Sequence, residues 1–150
     1  MIFVFGGEYQ GKKDFLLENF GLSEGEILNI ENLCELVEGK SEQELIHSLR
    51  AFVDREGIGA RAIYGLDAFV KAMVEHGQNV DAWLGQWIEN AKEQDWDSKV
   101  IAMKYVSQGL VPMDAVDRAF REANGRTMIK LAENATEVYR VFCGIGSRIK

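Results

Sequence analysis

The first fifteen residues, MIFVFGGEYQGKKDF, constrain the fold of this chain more than any other stretch. Five apolar residues of strand length stop abruptly at Gly6 and Gly7, as a strand buried on both faces of a parallel sheet does. A helical segment, KKDFLLENFG, follows at once, with Phe15, Leu16 and Phe20 near helical spacing and Gly21 as a stop. Strand, tight glycine loop and helix in that order open an α/β domain. The same alternation continues. EILNIEN (26–32), ARAIYGL (60–66), SKVIAMKYVS (98–107) and TEVYRVFCGI (136–145) have strand character. Between them, residues 41–57, 67–77, 80–94 and 113–125 continuing through 126–135 carry helical periodicity. The helix at 41–57 opens with Ser41 and Glu44 in capping-box spacing and lines up Leu45, Leu49, Phe52 and Val53 on one face. Pro112 stands at the start of the helix after the fourth strand, where its missing N–H costs nothing. The pattern predicts an α/β fold, three layers with a mostly parallel sheet. With 150 residues the expectation is one domain over 1–150.

The loop between the first strand and helix nearly spells the phosphate-binding pattern G-x-x-x-x-G-K-[ST]. Gly6, Gly11 and Lys12 fit it, and Lys13 stands where a hydroxyl should hold magnesium. Glycines let backbone N–H groups turn toward phosphate oxygens, the helix start is electropositive, and a lysine neutralises the terminal phosphates. The candidate cradle is Gly6, Gly7, Glu8, Tyr9, Gln10, Gly11, Lys12 and Lys13, with Lys12 making the direct phosphate contact. A magnesium ion loses its partner here, because an ammonium is a donor-only cation; Lys13 could supply its own charge instead. Glu8 adds a carboxylate to the same loop. The acidic metal contact expected at the end of a neighbouring strand is displaced as well: Tyr64 and Gly65 end the third strand, and the nearest carboxylate, Asp67, is positioned to cap the next helix. Read from its residues alone, the loop is either a phosphate cradle or a turn that uses glycine for backbone geometry. Tyr9 could also collapse into it.

Composition narrows the partners. A formal net charge of −7 opposes nucleic-acid binding, and no basic run offsets it. No apolar run reaches the length of about eighteen residues that spans a bilayer, and no signal-peptide pattern opens the chain, so a cytoplasmic location is expected. Cys34 and Cys143 lack metal-ligand spacing and are expected as two buried, inert thiols. His47 and His76 are isolated in helical segments, in solvent-facing or capping positions, and no metal site is expected. Trp83, Trp87 and Ile88 share a helix face and are read as core.

The C-terminal third carries GLVP (109–112), Arg118, Phe120 and Arg121 in R-x-F-R spacing, Gly125-Arg126, LAENATEVY (131–139) and a final Gly144-Ile145 before the terminal lysine. Together with GGEYQGKK (6–13) and YGLDAFVKAMV (64–74), these segments resemble the bifunctional adenosylcobinamide kinase / adenosylcobinamide-phosphate guanylyltransferase family of cobalamin assembly. The resemblance implies a P-loop NTPase-like domain, ATP or GTP as ligand, a corrinoid as possible second ligand, and a homo-oligomer, a trimer. Several positions depart from the family pattern: Lys13 in place of Ser, Tyr64 in place of Asp, Ser107-Gln108-Gly109 in place of a longer polar turn, and Met128-Ile129 in place of Asn-Gln. The guanylyl-accepting histidine has no counterpart. The expectation is a shortened, divergent member that binds a nucleotide or phosphate with degenerate catalytic motifs and without guanylyl transfer. The alternatives are an active magnesium-dependent corrinoid or small-molecule kinase, a phosphotransferase, and a structural or regulatory subunit whose loop binds nothing.

Overall fold

A computed structural model describes residues 1–35, 42–106 and 113–150. In chain order the elements are β1 (Ile2–Gly6), α1 (Lys12–Phe20), β2 (Ile27–Asn29), α2 (Ile30–Glu35), α3 (Glu42–Gly59), β3 (Ala62–Tyr64), α4 (Leu66–Glu75), α5 (Val80–Lys92), β4 (Val100–Lys104), α6 (Ala115–Asn134), β5 (Glu137–Phe142) and β6 (Ile145–Arg148). The strands form one sheet in the order β2-β3-β4-β1-β5-β6, and every pairing is parallel except the last. This is an α/β P-loop NTPase-like fold, as the sequence predicts.

Successive residues of a strand point to opposite faces, so β1 feeds two cores. Phe3 joins Ile63, Ile101 and Met103 against α3, α4, α5 and α6; Val4 joins Ala62, Val100 and Ala102 against Phe15 and Leu16 of α1. That split makes the three layers. Trp83 and Trp87 stack with ring centroids 5.7 Å apart in the larger core, and Trp83 Nε1 donates to Asp54 Oδ1 at 2.9 Å, so these indoles are packing groups. Lys99, buried at the entry to β4, donates to the carbonyls of Gly57, Ile58 and Ala60 and so closes the C-terminal end of α3.

Two elements differ from the sequence reading, and the helix read across 113–135 is one element as expected. The second strand stops at Asn29, because the Asn29 side chain accepts the Glu31 N–H at 3.0 Å and starts α2. The last strand stops at Phe142. Cys143 (φ 50) and Gly144 (φ 79) then form a two-residue hairpin turn, and β6 returns antiparallel with Phe142 opposite Ile145. Cys143 is therefore exposed at a turn, correcting its assignment as a buried thiol. Residues 113–135 contain one helix, capped by Asp114, which accepts the N–H groups of Val116 and Asp117; Gly125 sits inside it with open space around it. Ser41 of the predicted capping box, Pro112 and the GLVP segment lie outside the described residues.

Candidate functional site

Parallel strands present all their C-terminal ends on one edge of the sheet, and a crevice opens where the helices after two neighbouring strands pack on opposite faces. β1 and β4 are such a pair: α1 covers one face, and α6, the helix next in chain after β4, covers the other. A cleft of about 520 Å³ lies at this edge, lined by the loop after β1, Tyr64 after β3, Asp67 of α4, Lys104 at the end of β4 and Phe120 of α6.

The glycines of the loop have separate reasons. A Cβ on Gly6 would stand 2.4 Å from the Val141 carbonyl oxygen, so Gly6 serves the close approach of β5. Gly11 is the N-cap of α1 at φ 78, a left-handed conformation, and has no side chain to cap the helix. The first N–H groups of α1 therefore border the cleft uncapped. Lys12, only 5% exposed, donates from Nζ to the Gly7 carbonyl at 2.7 Å and lies 6.0 Å from the centre of the Tyr64 ring. Gln10 fastens the loop to the β5–β6 turn, its side chain accepting the Cys143 N–H at 2.7 Å and its carbonyl the Gly144 N–H at 2.9 Å. Tyr9 is 96% exposed, so the loop has not collapsed around it. Lys13 turns away to Glu24, 2.9 Å from Oε2.

Asp67 and Glu31 bring carboxylates to the same cleft. Asp67, 4% exposed, does not cap α4, whose N-cap is Gly65; its Oδ1 accepts the Lys104 N–H at 2.8 Å. Glu31 lies against Gly65, and burial followed by the charge of Asp67 raises its pKa. Burial, then the charges of Glu31 and Asp67, push the Tyr64 phenol up to about 12, so it stays neutral. The Lys12 ammonium is shifted down by burial, against the pull of Asp67 and Glu31. Burial also opposes the charge on Lys104, but the hydrogen bond it donates to Glu8 and the charges of Asp67, Glu8 and Glu31 outweigh it and raise the pKa. The cleft lining is balanced, with four lysines facing four carboxylates.

Lys104 is the residue that reading the sequence missed. Asp67 holds its N–H, the fully buried Asn124 donates from Nδ2 to its carbonyl at 3.0 Å, and its ammonium reaches Glu8 Oε1 at 3.0 Å. The one available signal was a charge ending the apolar run VIAMK.

These side chains do not suit a protein-held magnesium ion. The hydroxyl position is Lys13, which is committed to Glu24, and one oxygen of Asp67 is taken by a main-chain N–H. Among the described residues no three acidic, histidine or cysteine side chains converge as a ligand set. His47 is exposed on α3 and His76 is the C-cap of α4; neither lines the cleft. Arg118 and Arg121 do not line it either; Arg118 donates to the Met113 carbonyl at 2.5 Å at the start of α6. No helix among the described residues is long and apolar enough to cross a membrane.

No curated protein matches the chain in sequence. Residues 36–149, more than two thirds of it, match the family described as cobinamide kinase / cobinamide phosphate guanyltransferase. The match takes in β3, β4, α6 and the C-terminal hairpin and begins beyond the glycine loop, whose reading rests on its own geometry. A P-loop-type sheet, a cleft at the C-terminal ends of its strands and a match over most of the length converge on one statement: the chain belongs to the cobinamide kinase / cobinamide phosphate guanyltransferase family of cobalamin biosynthesis.

Proposed function

We propose that this chain binds a nucleoside triphosphate, ATP or GTP, through its phosphate groups, as a divergent family member that has lost guanylyl transfer. The observation that carries the reading is the start of α1: uncapped N–H groups behind a left-handed Gly11, beside the buried Lys12, border an open cleft of about 520 Å³. Anions are favoured at such a helix start by the partial positive charge of the unpaired N–H groups. Lys12 uses one of its three donors on Gly7 and has others for a phosphate oxygen. Phosphate then sits over residues 7–13, with Lys12 neutralising it. Gln10 holds the loop in register, since its two bonds to the hairpin turn fix the loop from behind.

Guanylyl transfer requires a nucleophile that accepts the nucleotide, and neither histidine lies in the cleft. A corrinoid or small-molecule kinase is the second reading, and Glu31 favours it. A half-buried carboxyl with a raised pKa close to Lys12 is suited to taking a proton from an attacking hydroxyl. The oligomer, a trimer by family resemblance, belongs to the same proposal.

Calorimetric titration with ATP and GTP tests it. Saturable binding to the folded wild type that weakens by about tenfold or more in Lys12→Ala is the expected result, the size of one lost charge-assisted hydrogen bond. Folded protein that takes up neither nucleotide would refute it.

A further inference from the structure

The disagreement between the family's magnesium chemistry and the residues of this cleft has a structural answer in Lys104. Three groups from three different elements act on that one residue. Asp67 of α4 accepts its N–H at 2.8 Å, Asn124 of α6 donates to its carbonyl at 3.0 Å, and Glu8 of the loop pairs with its ammonium at 3.0 Å. Asp67 and Asn124 are almost wholly buried, and burying a carboxylate and an amide costs free energy that their hydrogen bonds must offset. Those bonds pin the main chain at the point where β4 leaves the sheet, in register with Gly6 at the start of the loop that carries Lys12.

The bonds to Asp67 and Asn124 hold only main-chain atoms and leave the Lys104 side chain unclamped. It is a quarter exposed and borders the cleft, and its partner Glu8 is more than half exposed on the loop. An exposed pair of this kind is weak, within about 1 kcal/mol. A phosphate chain carries several negative charges and accepts charge-assisted hydrogen bonds, which are roughly twice as strong as neutral ones. It outcompetes a single carboxylate that water can solvate. Lys13 and Lys71 also border the cleft, but their ammonium groups pair with Glu24 and Glu75, neither of which lines it.

We infer that Lys104 is the second phosphate-binding cation of this site and Glu8 its resting counter-ion, so that the anion displaces Glu8 and the site takes a polyphosphate chain without a divalent metal. This rests on the phosphate-site reading proposed above and adds a specific residue and a specific metal independence to it. Glu8, which weakens the site in a reading of the loop alone, becomes the group that keeps Lys104 paired until ligand arrives.

The test is calorimetric titration of the full chain with ATP and with inorganic pyrophosphate, each in EDTA and in excess magnesium. The wild type is expected to bind each probe equally in the two conditions, within about threefold. Lys104→Met should weaken binding in EDTA by about ten- to a hundredfold, the equivalent of a lost charged hydrogen bond. It should still fold, because both clamps act on main-chain atoms that the substitution keeps. Glu8→Gln should tighten binding about two- to fivefold, since the competing carboxylate is gone. Affinity that rises tenfold or more with magnesium, a Lys104→Met protein that binds as the wild type does, or a Glu8→Gln protein that binds more weakly each overturns this inference and leaves the phosphate site standing. Folded wild type that binds neither probe in either condition overturns both.

Discussion

Replacing Asp67 separates what its carboxylate does as an acceptor from what it does as a charge. Its Oδ1 takes the Lys104 N–H at 2.8 Å at a position only 4% exposed, so Asp67→Ala leaves a main-chain donor without a partner. A hydrogen bond to a charged acceptor contributes about 1.5–3 kcal/mol, and the freed N–H gains little from water at a buried site. The expected loss is about 2–3 kcal/mol, which for a chain of this size lowers Tm by about 4–12 °C. Asp67→Asn keeps an oxygen in place and should lose about 1 kcal/mol or less. Its effect falls on Lys12 instead: Asp67 is the charge that most strongly opposes the burial-driven lowering of the Lys12 pKa, so removing it lowers that pKa further. Urea unfolding followed by circular dichroism measures the first effect, and NMR titration of the lysine side chains the second. The reasoning fails if both variants lose the same stability, or if Asp67→Ala loses less than about 1 kcal/mol.

Two further predictions concern the frame around the site. The Glu26 carboxyl is held down at about 2 by the Ser23 N–H, then by Arg61 and the Ser23 hydroxyl, against an ordinary value of 4.5. A carboxylate whose folded pKa is depressed contributes stability that is full above its unfolded value and is lost as pH falls through the folded one. Wild type should therefore be more stable than Glu26→Gln above pH 4.5, with the difference vanishing toward pH 2; a constant difference across an acid titration monitored by fluorescence would contradict this. Lys99→Met leaves the carbonyls of Gly57, Ile58 and Ala60 without their shared donor and should cost about 3 kcal/mol in thermal unfolding. Lys92→Met, at an exposed pair with Glu89, should change stability by no more than about 0.5 kcal/mol, and equal effects of the two would show that the buried contacts contribute nothing special.

The sheet was legible because its signals are local. MIFVF, AIY and VIAM are apolar runs bounded by glycine or charge, and each lies in a parallel strand. The indoles of Trp83 and Trp87 recur at helical spacing and pack in the core. The C-terminal hairpin was missed because the turn uses Cys143 ahead of Gly144, whereas the usual two-residue signal is Asn or Asp before Gly. An apolar cysteine between strand residues looks like a continuation of the strand, and only the positive φ at both positions turns the chain.

Within the site, the residues of the loop could be named from a motif, but their directions could not. A motif places Lys12 and Lys13 side by side, and neighbouring helical residues point about 100° apart. Lys12 consequently folds under the loop to Gly7, and Lys13 swings out to Glu24. The lysine beside the loop, Lys104, has its partner, Glu8, 96 positions away, a distance that no local pattern spans. It depends on two buried polar side chains, Asp67 and Asn124, one read as a helix cap and the other not singled out at all. Each looks ordinary in its own helix. Only when α4 and α6 are packed around the end of β4 do their hydrogen bonds fall on the same residue, and the main chain of Lys104 is then held beside the glycine loop. The local sequence therefore shows a glycine loop with Lys13 at the hydroxyl position of the pattern, whereas the folded chain sets beside that loop a lysine whose main-chain donor and acceptor are both tied down.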